Sequence, residues 1–215
     1  MGVVISLFDY TGNMVRPWAE AGYECRCYDI QHPVEGKRNE TFRSGGVIAY
    51  YHADLMNAVA IDLDNIAFVA AFPPCTDLSV SGAKHFKNKG LRRLADAIHM
   101  FASAVDMAEA SGAPWMIENP VSTISTYWRE PDYTFDPCQY TGYEGGENDH
   151  YTKKTCLWTG GGFKMPPPKM DSENWLMPPD DRIHKAAPGP DRANFRSATP
   201  MGFARAVFEA NGERP

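Results

Sequence analysis

Two rhythms of apolar and polar positions alternate along this chain, short β-branched runs and stretches of helical spacing, in the order expected of an α/β protein. Val3 to Phe8 is an apolar run that stops at Asp9-Tyr10-Thr11-Gly12-Asn13, after which Val15, Trp18, Ala19 and Gly22 recur as on a short helix. Tyr23 to Ile30 alternates and carries Asp29 near its end. Strand, helix and strand thus close within about 30 residues, the span of a nucleotide-binding βαβ unit.

Gln31 to Gly46 is polar and glycine-containing and predicts a loop, and Val47 to Tyr51 predicts a third strand leading to His52-Ala53-Asp54-Leu55. Ile66 to Phe72 is continuously apolar until Pro73-Pro74, the pattern of a buried parallel strand. From Leu91, apolar residues at Leu94, Ala95, Ile98, Phe101, Ala102, Val105 and Ala108 predict a helix stopped by Gly112. Trp115 to Ile117 predicts the next strand, ending in Glu118-Asn119-Pro120.

Residues 121–195 are rich in Pro, Gly, Trp and Tyr and predict an irregular lobe with a few short strands, such as Thr155 to Thr159. Thr199 to Ala210, with Pro200 near its start and Phe203, Ala206, Val207 and Ala210 on one face, predicts a closing helix. The expected organisation is one compact unit: a core over 1–120, the lobe over 121–195, and 196–215 returning to the core. The expected fold class is α/β, a mostly parallel sheet with helices on both faces.

The 215 residues, 43% apolar and 22% charged, suffice for one domain with a substantial core. No apolar stretch approaches the ~20 residues of a membrane helix, and no basic lead precedes the first apolar run, so a soluble cytoplasmic protein is expected. Five cysteines, an odd number, argue for reduced thiols. Cys25-x-Cys27 has the wrong spacing for a zinc knuckle and no matching pair lies downstream, so no metal is expected. A net charge of -6 disfavours non-specific attraction to phosphates and requires any nucleic-acid contact to use locally gathered basic residues.

Ligands of open parallel sheets gather at the carboxyl ends of strands, and Asp9, Asp29, Asp54, Cys75 and Glu118 all map there. The Thr11-Gly12-Asn13 turn can present backbone N–H groups at a helix start, Asp29 can bond a ribose diol and Asp54 an adenine amino group. An Asp at a strand end is equally a helix cap. Cys75 follows two stiffening prolines, and a following helix start would lower its thiol pKa; an inert buried cysteine suits Cys25, Cys27 or Cys138 better. Glu118, at the end of a buried strand, reads either as a desolvated proton donor or as a structural acid bonding backbone amides. Lys84, His85, Lys87, Lys89, Arg92 and Arg93 form a basic run between Cys75 and the long helix, suited to phosphate contact or simply to solvent, with Gly82 and Gly90 as hinges.

The order of these motifs resembles the DNA cytosine-5 methyltransferase family, especially its small bacteriophage-encoded members, over most of the chain. Leu7-Phe8-Asp9-Tyr10-Thr11-Gly12-Asn13 is similar to the family's cofactor loop, Tyr28-Asp29-Ile30 to its ribose-binding acid, and Ala53-Asp54-Leu55 to the segment that contacts adenine. Pro73-Pro74-Cys75-Thr76-Asp77-Leu78-Ser79 resembles its nucleophile loop and Glu118-Asn119-Pro120 its Glu-Asn pair. Lys153 to Trp158 and Arg196 to Ala206 are similar to C-terminal segments of the phage-type proteins. Tyr10 and Asn13 stand where glycines are usual, and Pro120 replaces the more usual valine. For the family's Gln-x-Arg-x-Arg segment, Lys153, Lys154, Arg192 and Arg196 are candidates.

The resemblance implies a Rossmann-like, S-adenosylmethionine-dependent methyltransferase fold and transfer of a methyl group to carbon 5 of a flipped-out cytosine through a Cys75 adduct assisted by Glu118. It implies S-adenosylmethionine as cofactor, held by Phe8, Asp9, Thr11, Gly12, Asn13, Asp29, Ile30, Asp54, Leu55 and Pro73. With duplex DNA as partner, the expected contacts are Ser79, Ser81, Lys84, Lys87, Lys89, Arg92, Arg93, Lys153, Lys154 and Arg196; nothing indicates a homo-oligomer. The short region after Glu118 leaves open a single-stranded, RNA or nucleotide substrate. The altered cofactor loop leaves open a non-catalytic binding protein that keeps the fold.

Overall fold

The computed structural model describes residues 2–35, 38–57, 59–187, 189 and 192–212. Its strands are β1 Val3–Leu7, β2 Glu24–Asp29, β3 Arg38–Thr41, β4 Val47–His52, β5 Ile66–Ala71, β6 Trp115–Pro120, β7 Tyr133–Phe135 and β8 Thr155–Gly160. Its helices are α1 Arg16–Glu20, α2 Phe86–Ala110, α3 Ile124–Tyr127, α4 Arg182–Lys185, α5 Arg192–Ser197 and α6 Met201–Asn211. Gly36 and Lys37 of the expected 31–46 loop, three positions of the expected lobe (188, 190 and 191), and the last three residues of the closing segment lie outside the described residues.

All strands join one mixed sheet in the order β3-β4-β2-β1-β5-β6-β8-β7. β4, β2, β1, β5 and β6 run parallel, and β8 lies antiparallel between β6 and β7. The chain leaves β1 toward β2 on one side and later reaches β5 on its other side, which creates a switch point with a crevice outside the carboxyl ends.

Strand alternation divides the core into two layers. Val4, Phe68, Ala70, Met116 and Leu157 face α1 and α6, where Trp18, Phe203 and Val207 are buried. Ile5, Leu7, Val69, Ala71, Ile117 and Trp158 face α2 through Phe101, Ala104 and Ala108. Trp18 stacks on Phe68 at 5.0 Å and meets Phe208 edge-on at 5.2 Å, so α1 and α6 are clamped onto the same sheet face. Burying one such side chain contributes ~1.5–3 kcal/mol.

The expected 31–46 loop contains the edge strand β3, which pairs antiparallel with β4. Its residues Arg38, Asn39, Glu40 and Thr41 are polar because an edge strand faces solvent, so no apolar alternation marks it. Within 121–195, β7 and β8 complete the central sheet, and the prolines beyond them are fastened by tyrosines. Tyr140 Oη donates to the Pro166 carbonyl at 3.1 Å and Tyr143 Oη to that of Pro167 at 2.8 Å. α2 breaks at Gly90 (φ 80°, ψ 165°), which separates one basic turn from the long apolar-faced helix beginning at Leu91. Among the described residues no helix is long and apolar enough to cross a membrane, and no three His, Cys, Asp or Glu side chains are grouped to hold a metal.

Candidate active site

The parallel strands bring Asp9, Asp54 and Cys75, in the loops after β1, β4 and β5, to the same edge of the sheet as Asp29 and Glu118, in the last residues of β2 and β6. After β1 the chain turns sharply: Phe8 adopts φ 56°, a left-handed conformation that costs a bulky residue ~1–3 kcal/mol. The turn swings Asp9 back under its own loop. Asp9 Oδ1 accepts from Thr11 N (3.0 Å), Thr11 Oγ1 (3.0 Å) and Gly12 N (2.8 Å), and Oδ2 accepts from Ser6 Oγ at 2.7 Å. Asn13 N donates to Thr11 Oγ1 at 3.2 Å. The amides expected to face a ligand are therefore turned inward, because an Asp two or three residues ahead captures them as an Asx turn. Gly12 has φ 74°, and a Cβ there would lie 2.5 Å from Tyr50 Oη. Tyr50 is itself fixed by donating to Glu40 Oε1 at 2.8 Å.

Asp29 is buried; its Oδ1 accepts from Gln31 N at 2.8 Å, while Oδ2 has no hydrogen bond among the described residues. Its neighbour Ile30 is 58% exposed, an apolar side chain left uncovered beside that carboxylate. Asp54 accepts from Met56 N (3.1 Å) and Asn57 Nδ2 (2.7 Å), and Leu55 is buried. Two histidines not singled out from the sequence tie these loops together. His32 Nε2 bonds the Asp9 carbonyl at 3.1 Å and His52 Nδ1 the His32 carbonyl at 2.9 Å, so both nitrogens donate.

The Cys75 loop is locked to the end of β6. Asn119 Nδ2 donates to the Pro73 carbonyl at 2.9 Å, Val80 N to the Val121 carbonyl at 3.0 Å, and Thr123 N to the Leu78 carbonyl at 2.9 Å. Cys75 itself is half-buried, with its carbonyl accepting from Leu78 N (3.0 Å) and Ser79 N (2.8 Å). Burial raises its thiol pKa above the ordinary value; Lys153 opposes this, Glu118 adds to it, and a backbone hydrogen bond and Arg196 oppose it to a smaller extent. The depressed thiol anticipated from the sequence is thus reversed, because desolvation outweighs the nearby cations.

Glu118 lies inside β6 and is buried, opposite Leu157 of β8. Its Oε1 pairs with Lys153 Nζ at 3.2 Å, while Oε2 and the neighbouring Asn119 Oδ1 are buried without partners. Lys153 is in turn held by its own amide, which donates to Asp136 Oδ1 at 2.7 Å. Two orphaned acceptors beside a thiol are unusual, since buried acceptors are nearly always satisfied. They suit a ligand that brings hydrogen-bond donors.

The structure therefore brings Cys75, Glu118, Lys153 and Arg196 together. Lys154 is exposed and acts on Cys156. In the basic run, Lys89 Nζ bonds Asp77 Oδ1 (2.6 Å) and the Thr76 carbonyl (2.9 Å), and Arg93 reaches Asp77 at 3.9 Å. Lys89 braces the nucleophile loop, whereas the contact of the 70% exposed Arg93 is a loose surface pair. Lys84, Lys87 and Arg92 are exposed, and Ser79 Oγ bonds Ser81 Oγ at 2.9 Å. Asp149, which no sequence pattern marks, accepts from Gly202 N at 2.8 Å and anchors the start of α6. A shallow depression around Glu24, Asn39 and Val47, on the β2–β4 side of the sheet, carries none of these groups. The chain matches no protein-family model and no curated protein.

Proposed function

We propose that this chain is a DNA cytosine-5 methyltransferase with a Rossmann-like methyltransferase fold. The observation that carries the reading is the Asn119–Pro73 bond of 2.9 Å, which fixes the Cys75 loop against the strand bearing a buried Glu118 with one unpartnered oxygen. A cytosine presented there meets a thiol and an orphaned carboxylate oxygen together.

The cofactor loop favours a ligand without phosphates. Thr11 and Gly12 amides, which would cradle a pyrophosphate, are occupied by the Asp9 carboxylate, and its negative charge disfavours a second anion. Asp29 retains an oxygen for a ribose diol and Ile30 an apolar surface for an adenine ring. These features fit S-adenosylmethionine, whose sulfonium carries positive charge and which, when bound, supplies the methyl group. The Glu118 carboxylate takes the Cys75 proton and passes it to N3 as the sulfur adds to carbon 6 of the cytosine, and the carbon 5 so activated takes the methyl group that the bound cofactor would supply. Water in the crevice then takes the carbon 5 proton, the carbon 5–carbon 6 double bond re-forms as the carbon–sulfur bond breaks, and N3 returns its proton through Glu118 to Cys75. Because desolvation disfavours its thiolate, Cys75 keeps its proton until addition to the base begins. Extrusion of the base from a duplex stack gives it access to this crevice.

Lys89 is committed to Asp77, which removes one cation from the basic surface available to a duplex and keeps an unpaired cytosine as the alternative substrate. The test is incubation with duplex DNA, single strands or nucleotides and isotope-labelled S-adenosylmethionine, followed by digestion and mass spectrometry. Labelled 5-methylcytosine that vanishes with Cys75→Ala is the expected result. Cofactor binding without label in any substrate contradicts the proposal and favours a non-catalytic binding protein.

A further inference from the structure

α5 lies over the edge that carries Cys75. Asn194 Nδ2 donates to Gln31 Oε1 at 3.1 Å, which ties the helix to the segment after β2, and Asn13 Nδ2 donates to the Thr199 carbonyl at 3.1 Å, which ties its exit to the loop after β1. Arg192 and Arg196 are one turn apart on this helix and share a face. Each has a buried Nε with no partner. Arg205 also has a buried Nε without a partner, but its Nη2 is paired with Glu20 and Glu144. Arg192 and Arg196 have no ion pair or hydrogen bond from the guanidinium among the described residues. Arg196 is near enough to Cys75 to favour its thiolate.

We propose that Arg192 and Arg196 form a phosphate subsite that grips the nucleotide whose cytosine enters the Cys75 pocket. Guanidinium forks match phosphate oxygens two at a time, and the Nη donors of both arginines, which have no protein partner among the described residues and are not buried, are available to take them. This deepens the proposed function and rests on its premise that a cytosine reaches Cys75. The same chemistry serves a phosphodiester of a polynucleotide or the phosphate of a free nucleotide.

The experiment measures binding of a cytosine-containing single-stranded decanucleotide, deoxycytidine monophosphate and deoxycytidine to the full chain and to Arg192→Gln, Arg196→Gln and the double variant, with thermal melting as a fold check. Each substitution is expected to weaken the phosphate-bearing ligand about tenfold and to weaken deoxycytidine binding far less, so that the preference for the phosphate-bearing ligand falls. The salt slope for the strand falls by about 0.7 for each arginine removed. Arginine-dependent binding confined to the decanucleotide identifies a backbone phosphate; such binding of the monophosphate as well identifies a nucleotide site. If a glutamine variant melts out, the corresponding lysine variant, which keeps the charge and loses the fork, is expected to bind at an intermediate level. Equal binding by parent and variants, or failure of the parent to bind either phosphate-bearing ligand, overturns the subsite. Arginine-dependent binding without methyl transfer leaves the subsite standing and refutes only the transferase reading.

Discussion

Lys153→Met removes one partner of the ion pair at the heart of the site. Lys153 Nζ lies 3.2 Å from Glu118 Oε1, with the two side chains 13% and 6% exposed. Removing one member of such a pair strands a buried charge and costs ~3–5 kcal/mol. The lower end, ~3 kcal/mol, applies here because Lys153 retains some contact with water. With a urea m-value of ~3 kcal/mol/M, the unfolding midpoint falls by ~1 M. Intrinsic fluorescence of the five tryptophans reports the transition. Pairing Lys153→Met with Glu118→Leu removes both charges and restores most of the loss, so the double-mutant cycle shows strong coupling. A single variant within ~0.5 kcal/mol of the parent, or two strictly additive substitutions, refutes the argument that the pair is electrostatically buried.

Alkylation of Cys75 by iodoacetamide is expected to be slow at neutral pH and to reach half its maximal rate above the ordinary thiol pKa, and higher still in Lys153→Met, since loss of the cation disfavours the thiolate; a midpoint below pH 8 contradicts this. Burial pushes the Asp149 pKa up to about 6, against the pull of the Gly202 N–H. The folded carboxyl therefore keeps its proton where the unfolded one has lost it, and stability falls as pH rises from about 4 through 6, by ~3 kcal/mol in full. Asp149→Asn should flatten that slope and raise the urea midpoint at pH 7.5; a steeper slope or a lower midpoint counts against it. Gly12→Ala places a methyl group against Tyr50 Oη at a φ of 74° and is expected to cost ~1–3 kcal/mol in thermal or urea unfolding, with an unchanged midpoint as the contrary result.

The strands that carry the site were legible because each is an apolar, β-rich run ended by a polar or proline signal. Val3–Leu7, Val47–His52 and Ile66–Ala71 fall within a residue of the boundaries that hydrophobic pattern predicts. Gly90, read as a hinge, is the point where α2 breaks, and Phe203 and Val207 were legible as the buried face of α6. β3 was not, because a solvated edge strand has no apolar face, and β7, at three residues, is too short to show a period. Order along the chain also says nothing of where β8 inserts, yet that insertion sets Leu157 opposite Glu118 and brings Lys153 to its carboxylate from 35 positions away. Local hydrogen bonding hid a further part. Asp9 reads as a ligand-binding acid and is saturated by its own loop, and Lys89 reads as a phosphate contact and is held by Asp77.

The most direct measurement uses an oligonucleotide carrying 5-fluorocytosine, incubated with the protein and S-adenosylmethionine and then denatured. Fluorine at carbon 5 cannot depart as a proton, so the thioether formed at carbon 6 persists after methyl transfer. The account predicts a covalent complex with the mass of protein, oligonucleotide and one methyl group, mapped to the peptide containing Cys75. A protein that binds the cofactor but yields no such complex, or yields one on Cys25, Cys27, Cys138 or Cys156, contradicts it.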